Sequence, residues 1–347
     1  MRFANPSPYG THRVIEPAGV LPQPAWRIDN SMQPAANEIL VDVTALNVDA
    51  ASFTQLKQAA GGDVDQLGAA VLDIVAQRGK LHNPVTGSGG MLIGTVREVG
   101  ADLAARCELR PGDPIATLVS LSLTPLHIER IRAVHLQRDQ IEIDGQAILF
   151  ETGLYARLPA DMPQTTALAI LDVAGAPAQT ARLVQRGDTV VVIGGGGKSG
   201  TLCLYEARKR AGPEGTVIGV SPFAADGARM RELGWVDHVL AVDATNAVAL
   251  MQAVHEVTQG RLADVTINCV NIPNTEMGSI LATREGGTVY FFSMATSFTA
   301  AALGAEGVGK DVQMLVGNGY ARGHAEHALS LLRESPPLRR LFEELYA

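Results

Sequence analysis

The sequence predicts an α/β fold: a doubly wound parallel sheet of Rossmann type, preceded by a smaller and mostly β domain. Three observations support this. In residues 189–200, TVVVIGGGGKSG, the β-branched Val190, Val191, Val192 and Ile193 run straight into Gly194, Gly195, Gly196 and Gly197, and Lys198, Ser199 and Gly200 open a helical composition. Downstream, short apolar segments alternate with helical stretches of about ten to fifteen residues, the pattern of a parallel sheet. Upstream, residues 1–160 show short strand-like runs broken by Pro-Gly and Asp-Gly turns.

Taken in order, residues 1–37 read as a proline-rich lead-in with a short strand near residues 12–15, where His12 and Arg13 read as a surface pair. EILVDVTALNV (38–48) is a strand. Residues 52–79 read as one helix, because Val64, Leu67, Val71, Ile74 and Val75 share a face at helical spacing. NPVTGSGGMLIGTVREVG (83–100) is a turn followed by a strand, and 109–120 and 141–159 add further short strands. The nucleotide half then alternates strands at 189–193, 216–221, 238–243, 263–270 and 287–293 with helical segments. A late strand and loop follow at 312–324, and residues 325–333 and 338–346 close as helices. The domains are therefore expected at 1–160 and 161–320, with 321–347 completing the first.

The glycine turn carries the chemistry. Gly195, Gly197 and Gly200 satisfy G-x-G-x-x-G, in which one glycine turns sharply, one lets a pyrophosphate reach the backbone, and one lets helix pack on strand. The first helical amides then face the anion. A triphosphatase loop would need glycine where Val192 stands inside the strand, so the GKS tripeptide does not signal one. A net charge of −8 argues against nucleic acid, and no stretch of about eighteen apolar residues suggests a membrane span. The amino terminus has no apolar core of a secretory signal, and Cys107, Cys203 and Cys269 are too few and scattered for a disulfide framework, so a cytoplasmic protein with reduced thiols is expected.

The order of a β-rich front domain and a nucleotide domain, with GTVREVG (94–100) and RGDTVVVIGGGGKSG (186–200), resembles the medium-chain dehydrogenase/reductase superfamily. YGTHRVIEPAGVLPQPA (9–25), LNVDAASFTQ (46–55), NPVTGSGGMLIGTV (83–96) and DVAGAPAQTA (172–181) more specifically resemble the L-erythro-3,5-diaminohexanoate dehydrogenase family. That resemblance implies a GroES-like catalytic domain and hydride transfer from an amine-bearing carbon of a diamino acid to NAD(P), as in lysine fermentation. It also implies a homodimer. Where zinc-dependent relatives keep a cysteine this chain has Asp49, and their Gly-His-Glu is Gly89-Gly90-Met91, so a zinc-free site is expected; scattered His82, His127 and His135 read as ordinary histidines.

Removing a hydride from an amine requires a general base, and the second ammonium of a diamino acid requires a carboxylate. The candidates are Asp49, at the position of the lost metal ligand, Asp172, in the apolar run LAILDVAGAP, and Glu151, at a strand end. Thr86 and Ser88 are candidate substrate-binding hydroxyls, and Arg13, Arg97 and Arg132 candidate partners of the substrate carboxylate. Cofactor contacts are expected from the glycine turn with Lys198 and Ser199, and from Ser221 and Arg229. Residues 220–222 carry no acid for a ribose 2′-hydroxyl, so NADP is favoured, with NAD open. A zinc-free quinone or enoyl reductase, and a non-enzymatic cofactor-binding protein, are the alternative readings.

Overall fold

The computed structural model describes residues 3, 5–317 and 319–346, and the backbone alone of Ala50 and Ala51. Met1, Arg2 and Ala4 of the lead-in, Asn318 of the late loop and Ala347 lie outside the described residues. The chain divides into two compact units, Met1–Asp161 and Met162–Ala347.

In the first unit a single 3-10 turn, Thr11–Arg13, leads into β1 (Val14–Glu16), which pairs with β2 (Arg27–Ile28). The body is β3 (Glu38–Asn47), α1 (Ala50–Ala59), α2 (Val64–Arg78), β4 (Met91–Val99), β5 (Pro114–Thr117), β6 (Leu126–His135), β7 (Gln140–Phe150) and β8 (Tyr155–Arg157). These six later strands form one antiparallel sheet, ordered β6-β7-β3-β4-β5-β8. The single helix expected over 52–79 is two: Gly61 and Gly62, both at positive φ, end α1, and the Asp63 carboxylate caps α2 by accepting from Asp65 N and Gln66 N. Leu67, Val71 and Val75 of α2 are fully buried against the sheet, whereas Val64 at its head is exposed. Burying three such side chains is worth about 1.5–3 kcal/mol each.

His12 and Arg13 are not the surface pair their composition suggests. Arg13 is wholly buried; its guanidinium bonds both Glu38 oxygens and the carbonyls of Asp29, Ser31 and Gln33, while His12 Nε2 lies 2.8 Å from the same carboxylate. Burial alone would raise the Glu38 carboxyl, but Arg13 and His12 bring it down to about 2. The cluster ties the irregular lead-in to the first residue of β3.

The second unit begins with α3 (Gln164–Leu171) and α4 (Gly175–Leu183), then alternates β9 (Thr189–Ile193), α5 (Lys198–Ala211), β10 (Thr216–Val220), α6 (Ala224–Leu233), β11 (His238–Leu240), α7 (Ala247–Val257), β12 (Ala263–Asn268), α8 (Glu276–Ala282), β13 (Thr283–Phe291), α9 (Phe298–Val308) and β14 (Gln313–Val316). All six strands are parallel, in the order β11-β10-β9-β12-β13-β14. β9 is buried along its whole length, which is why it reads as an unbroken apolar run. The strand order reverses beside β9, between β10 and β12, the place where such sheets bind ligands beyond their carboxyl ends. The last helices, α10 (His324–Glu334) and α11 (Pro336–Leu345), pack on α3 and α4, so residues 321–347 are gathered into this unit rather than into the first.

Candidate active site

In the first unit, register brings the predicted site residues to one corner. Asn47, at the end of β3, pairs with Met91, at the start of β4, so the turn leading into β4 lies against the head of α1. Asp49 caps that helix: its Oδ1 accepts from Ser52 N at 3.0 Å, while its Oδ2 is buried without a hydrogen-bond partner. Ser52, itself buried, places its hydroxyl 2.5 Å from that of Thr86 and 2.8 Å from that of Ser88. Asn83 fixes the turn. Its amide donates to Gln55 Oε1 on α1, and its Oδ1 accepts from the Val85 and Thr86 amides.

Gly90, where metal-binding relatives are expected to keep histidine, has φ +106; a β-carbon there would collide with the Asn47 carbonyl and stand 2.8 Å from Asp49 N. The position can hold no ligand. Among the described residues no three His, Cys, Asp or Glu side chains converge as a metal site. Beside the turn, burial first and then the Lys80 and Arg78 charges push His82 down to about 4, keeping it neutral.

Two residues of this corner escape sequence inspection. Ser52 is an ordinary helical serine by composition. Asp139, in the turn between β6 and β7, gives its carbonyl to Val48 N; burial and then the Asp49 charge raise its carboxyl, with Lys57 opposing. Glu151, by contrast, does not belong here. Glu38 pairs with Phe150 and Asn47 with Gln140, so Glu151 lies at the opposite end of β3 from Asp49, about 30 Å away at the rise of a strand. There it pairs with Arg106 at 2.7 Å and accepts from Asn37. Of the cationic candidates, Arg13 is consumed by Glu38, Arg97 pairs with Asp42 and Arg132 with Asp144.

In the second unit, β9 ends at Ile193 and the chain turns through Gly194, at φ +82, into α5. Gly194 N and Gly195 N both donate to Val220 O on β10. A β-carbon at Gly200 would collide with the Gly194 carbonyl, and one at Gly196 with the Asp226 carboxylate. The close approaches demanded of a dinucleotide turn are therefore present. Lys198 heads α5 and pairs with Asp172 at 2.7 Å; Asp172 caps the carboxyl end of α3 and serves as the partner of this lysine, not as a free base. Ser199 follows Lys198 in the first turn of α5, and the Cys269 thiol lies 3.8 Å from that of Cys203.

A carboxylate from the next helix reaches the end of β10. Asp226 Oδ2 accepts from Ser221 Oγ at 2.7 Å, and its Oδ1 from Arg229, whose guanidinium also donates to Gly196 O. Arg229 is thus engaged by the turn and its own helix. Ser221 and Asp226 border a cavity of about 220 Å³ that also reaches Gly194 and Gly197 of the turn, with Val220, Val242, Val270 and Ile272 as its apolar walls. No helix among the described residues is long and apolar enough to cross a membrane.

A parallel sheet with reversed strand order, a glycine turn opening onto a helix, and a separate antiparallel unit define the fold of the medium-chain dehydrogenase/reductase class, a Rossmann unit with a GroES-like one. Solved structures agree on the fold. A mycobacterial protein determined with NADPH matches at TM-score 0.56 and 17% identity over 88% of this chain and 83% of that one. A quinone oxidoreductase of Pseudomonas syringae pv. Tomato matches at 0.55 and 15%, over 88% and 82%. Within that class the chain belongs to the L-erythro-3,5-diaminohexanoate dehydrogenase family. The model of that family's N-terminal domain matches residues 12–159. The enzymes of that name from Acetoanaerobium sticklandii and Fusobacterium nucleatum are 58% and 57% identical to it, each over 97% of this chain and 98% of the relative.

Proposed function

We propose that this chain catalyses the NAD(P)-dependent oxidative deamination of L-erythro-3,5-diaminohexanoate to 5-amino-3-oxohexanoate and ammonia. The observation that supports this assignment beyond family membership is Asp49 Oδ2, a buried carboxylate oxygen with no partner of its own. Burying an unpaired carboxylate oxygen costs free energy that a cationic ligand repays. A bound nicotinamide would supply the acceptor for the hydride that leaves the carbon bearing the 3-amino group. That amine must first be neutral, and Asp49 takes its proton; water then hydrolyses the resulting substrate imine, releasing ammonia. The Ser52, Thr86 and Ser88 hydroxyls hold the amine and its attacking water, and Asp139 is the carboxylate we assign to the second ammonium.

For the cofactor, Asp226 favours NAD. A carboxylate held by Ser221 at the end of β10 accepts from a ribose 2′-hydroxyl and repels a 2′-phosphate, and Arg229, a cation that could otherwise receive that phosphate, is paired with the same aspartate. The test is the absorbance of reduced nicotinamide on adding L-erythro-3,5-diaminohexanoate, with NAD or NADP, with and without a chelator. Turnover that survives chelation is expected. No turnover with the diamino acid, or turnover that the chelator abolishes, refutes the assignment.

A further inference from the structure

Near the glycine turn of the second unit stands an aromatic side chain, Tyr346, that neither the motif nor the proposed chemistry uses. Tyr346 follows α11, whose Ser335 caps the helix through Leu338 N and whose Leu338 and Phe342 are fully buried. Its amide donates to Phe342 O at 3.0 Å and its ring packs edge-on against the Phe342 ring at 5.1 Å, so the last turn of the helix holds it in place. The ring centroid lies 5.9 Å from Lys198 Nζ, the first side chain of α5 after the turn. On the other flank of the turn stand Arg229, which donates to Gly196 O, and Asp226, which crowds Gly196. Burial raises the Tyr346 phenol; Arg229 and Asp226, which also act on it, oppose each other.

We propose that Tyr346 walls the pyrophosphate end of the dinucleotide site, its ring beside Lys198 and holding the Lys198 ammonium against Asp172 next to the anion-binding amides. This inference rests on the glycine turn binding a dinucleotide. A ring here offers an apolar wall to the diphosphate and ribose and a cation–π contact to the lysine, and both depend on the ring rather than on its hydroxyl.

The test measures binding, not turnover: calorimetric Kd for ADP-ribose, which lacks the nicotinamide, with the wild type, Tyr346→Phe and Tyr346→Ala, together with the melting temperature of each unliganded protein. The expected result is a Phe variant within about twofold of wild type and an Ala variant weakened about five- to tenfold, the scale of one lost cation–π and ring contact, with little change in melting. Ala binding as tightly as wild type overturns the proposal. So does Phe failing as badly as Ala, or a loss in Ala matched by collapse of the unliganded protein. A wild type that does not bind ADP-ribose at all would instead refute the dinucleotide site itself.

Discussion

Replacing Asp49 with asparagine separates its two duties. In the structure one oxygen caps α1 by accepting from Ser52 N, and the other is buried and unpartnered. Asparagine keeps an oxygen for the cap, since Asn and Asp cap helices about equally. It loses the charge and the capacity to take a proton. A hydrogen bond from an ammonium to a carboxylate contributes about 1.5–3 kcal/mol, roughly ten- to a hundredfold in affinity. Losing a positioned base costs roughly 10²–10⁴ in rate. Asp49→Asn should therefore lower kcat/KM for the diamino acid by at least about a thousandfold, with kcat falling as well, while thermal melting stays within a degree or two of wild type. Asp49→Ala, which forfeits the cap as well, should lose about 1 kcal/mol of stability besides. Steady-state kinetics and melting on the same preparations decide it. An Asn variant within threefold of wild type in kcat/KM would refute the role, as would an Asn variant that melts as low as the Ala variant.

Two further outcomes follow from charge placement. Asp226→Ala removes the acceptor at the ribose and frees Arg229, so the ratio of kcat/KM for NAD over NADP should fall about ten- to a hundredfold; an unchanged ratio would place cofactor selection elsewhere. Glu38, held at about 2 against an ordinary 4.5, stabilises the fold fully above pH 4.5 and loses that contribution as pH falls toward 2, about 3 kcal/mol in all; Glu38→Gln should flatten the stability profile in that window, read by urea unfolding across pH.

What the sequence made legible was whatever depends on backbone period. The parallel sheet, the glycine turn and the strand at 38–48 follow from apolar runs and glycines that no other structure accommodates. The boundary inside residues 52–79 was legible too, in Gly61-Gly62, but the hydrophobic stripe from Val64 to Val75 alone does not show that the helix begins after it. What was not legible was side-chain reach across elements. Arg13 is buried because Glu38 meets it from a strand twenty-five residues on, and no local pattern records that meeting. Glu151 is a strand-end acid like many others until the register sets it at the wrong end of β3. Asp226 lies past the strand end, on the first turn of the next helix, and only the fold brings its carboxylate back to Ser221.

Asp49 and Asp226 occupy the same kind of place, just past a strand and at the head of the helix that follows, yet the structure suits them to different work. Both oxygens of Asp226 are engaged, one by Ser221 and one by Arg229, so its charge is held and shared, and each oxygen keeps a lone pair that a ribose hydroxyl can use. Asp49 spends one oxygen on a backbone amide and keeps the other buried with nothing to accept from. A carboxylate balanced in that way selects among sugars, whereas one left with an unanswered oxygen can bind a cation or take a proton. The division of labour we propose, Asp226 toward the cofactor and Asp49 toward the amine, thus follows from what each helix head already supplies to its aspartate.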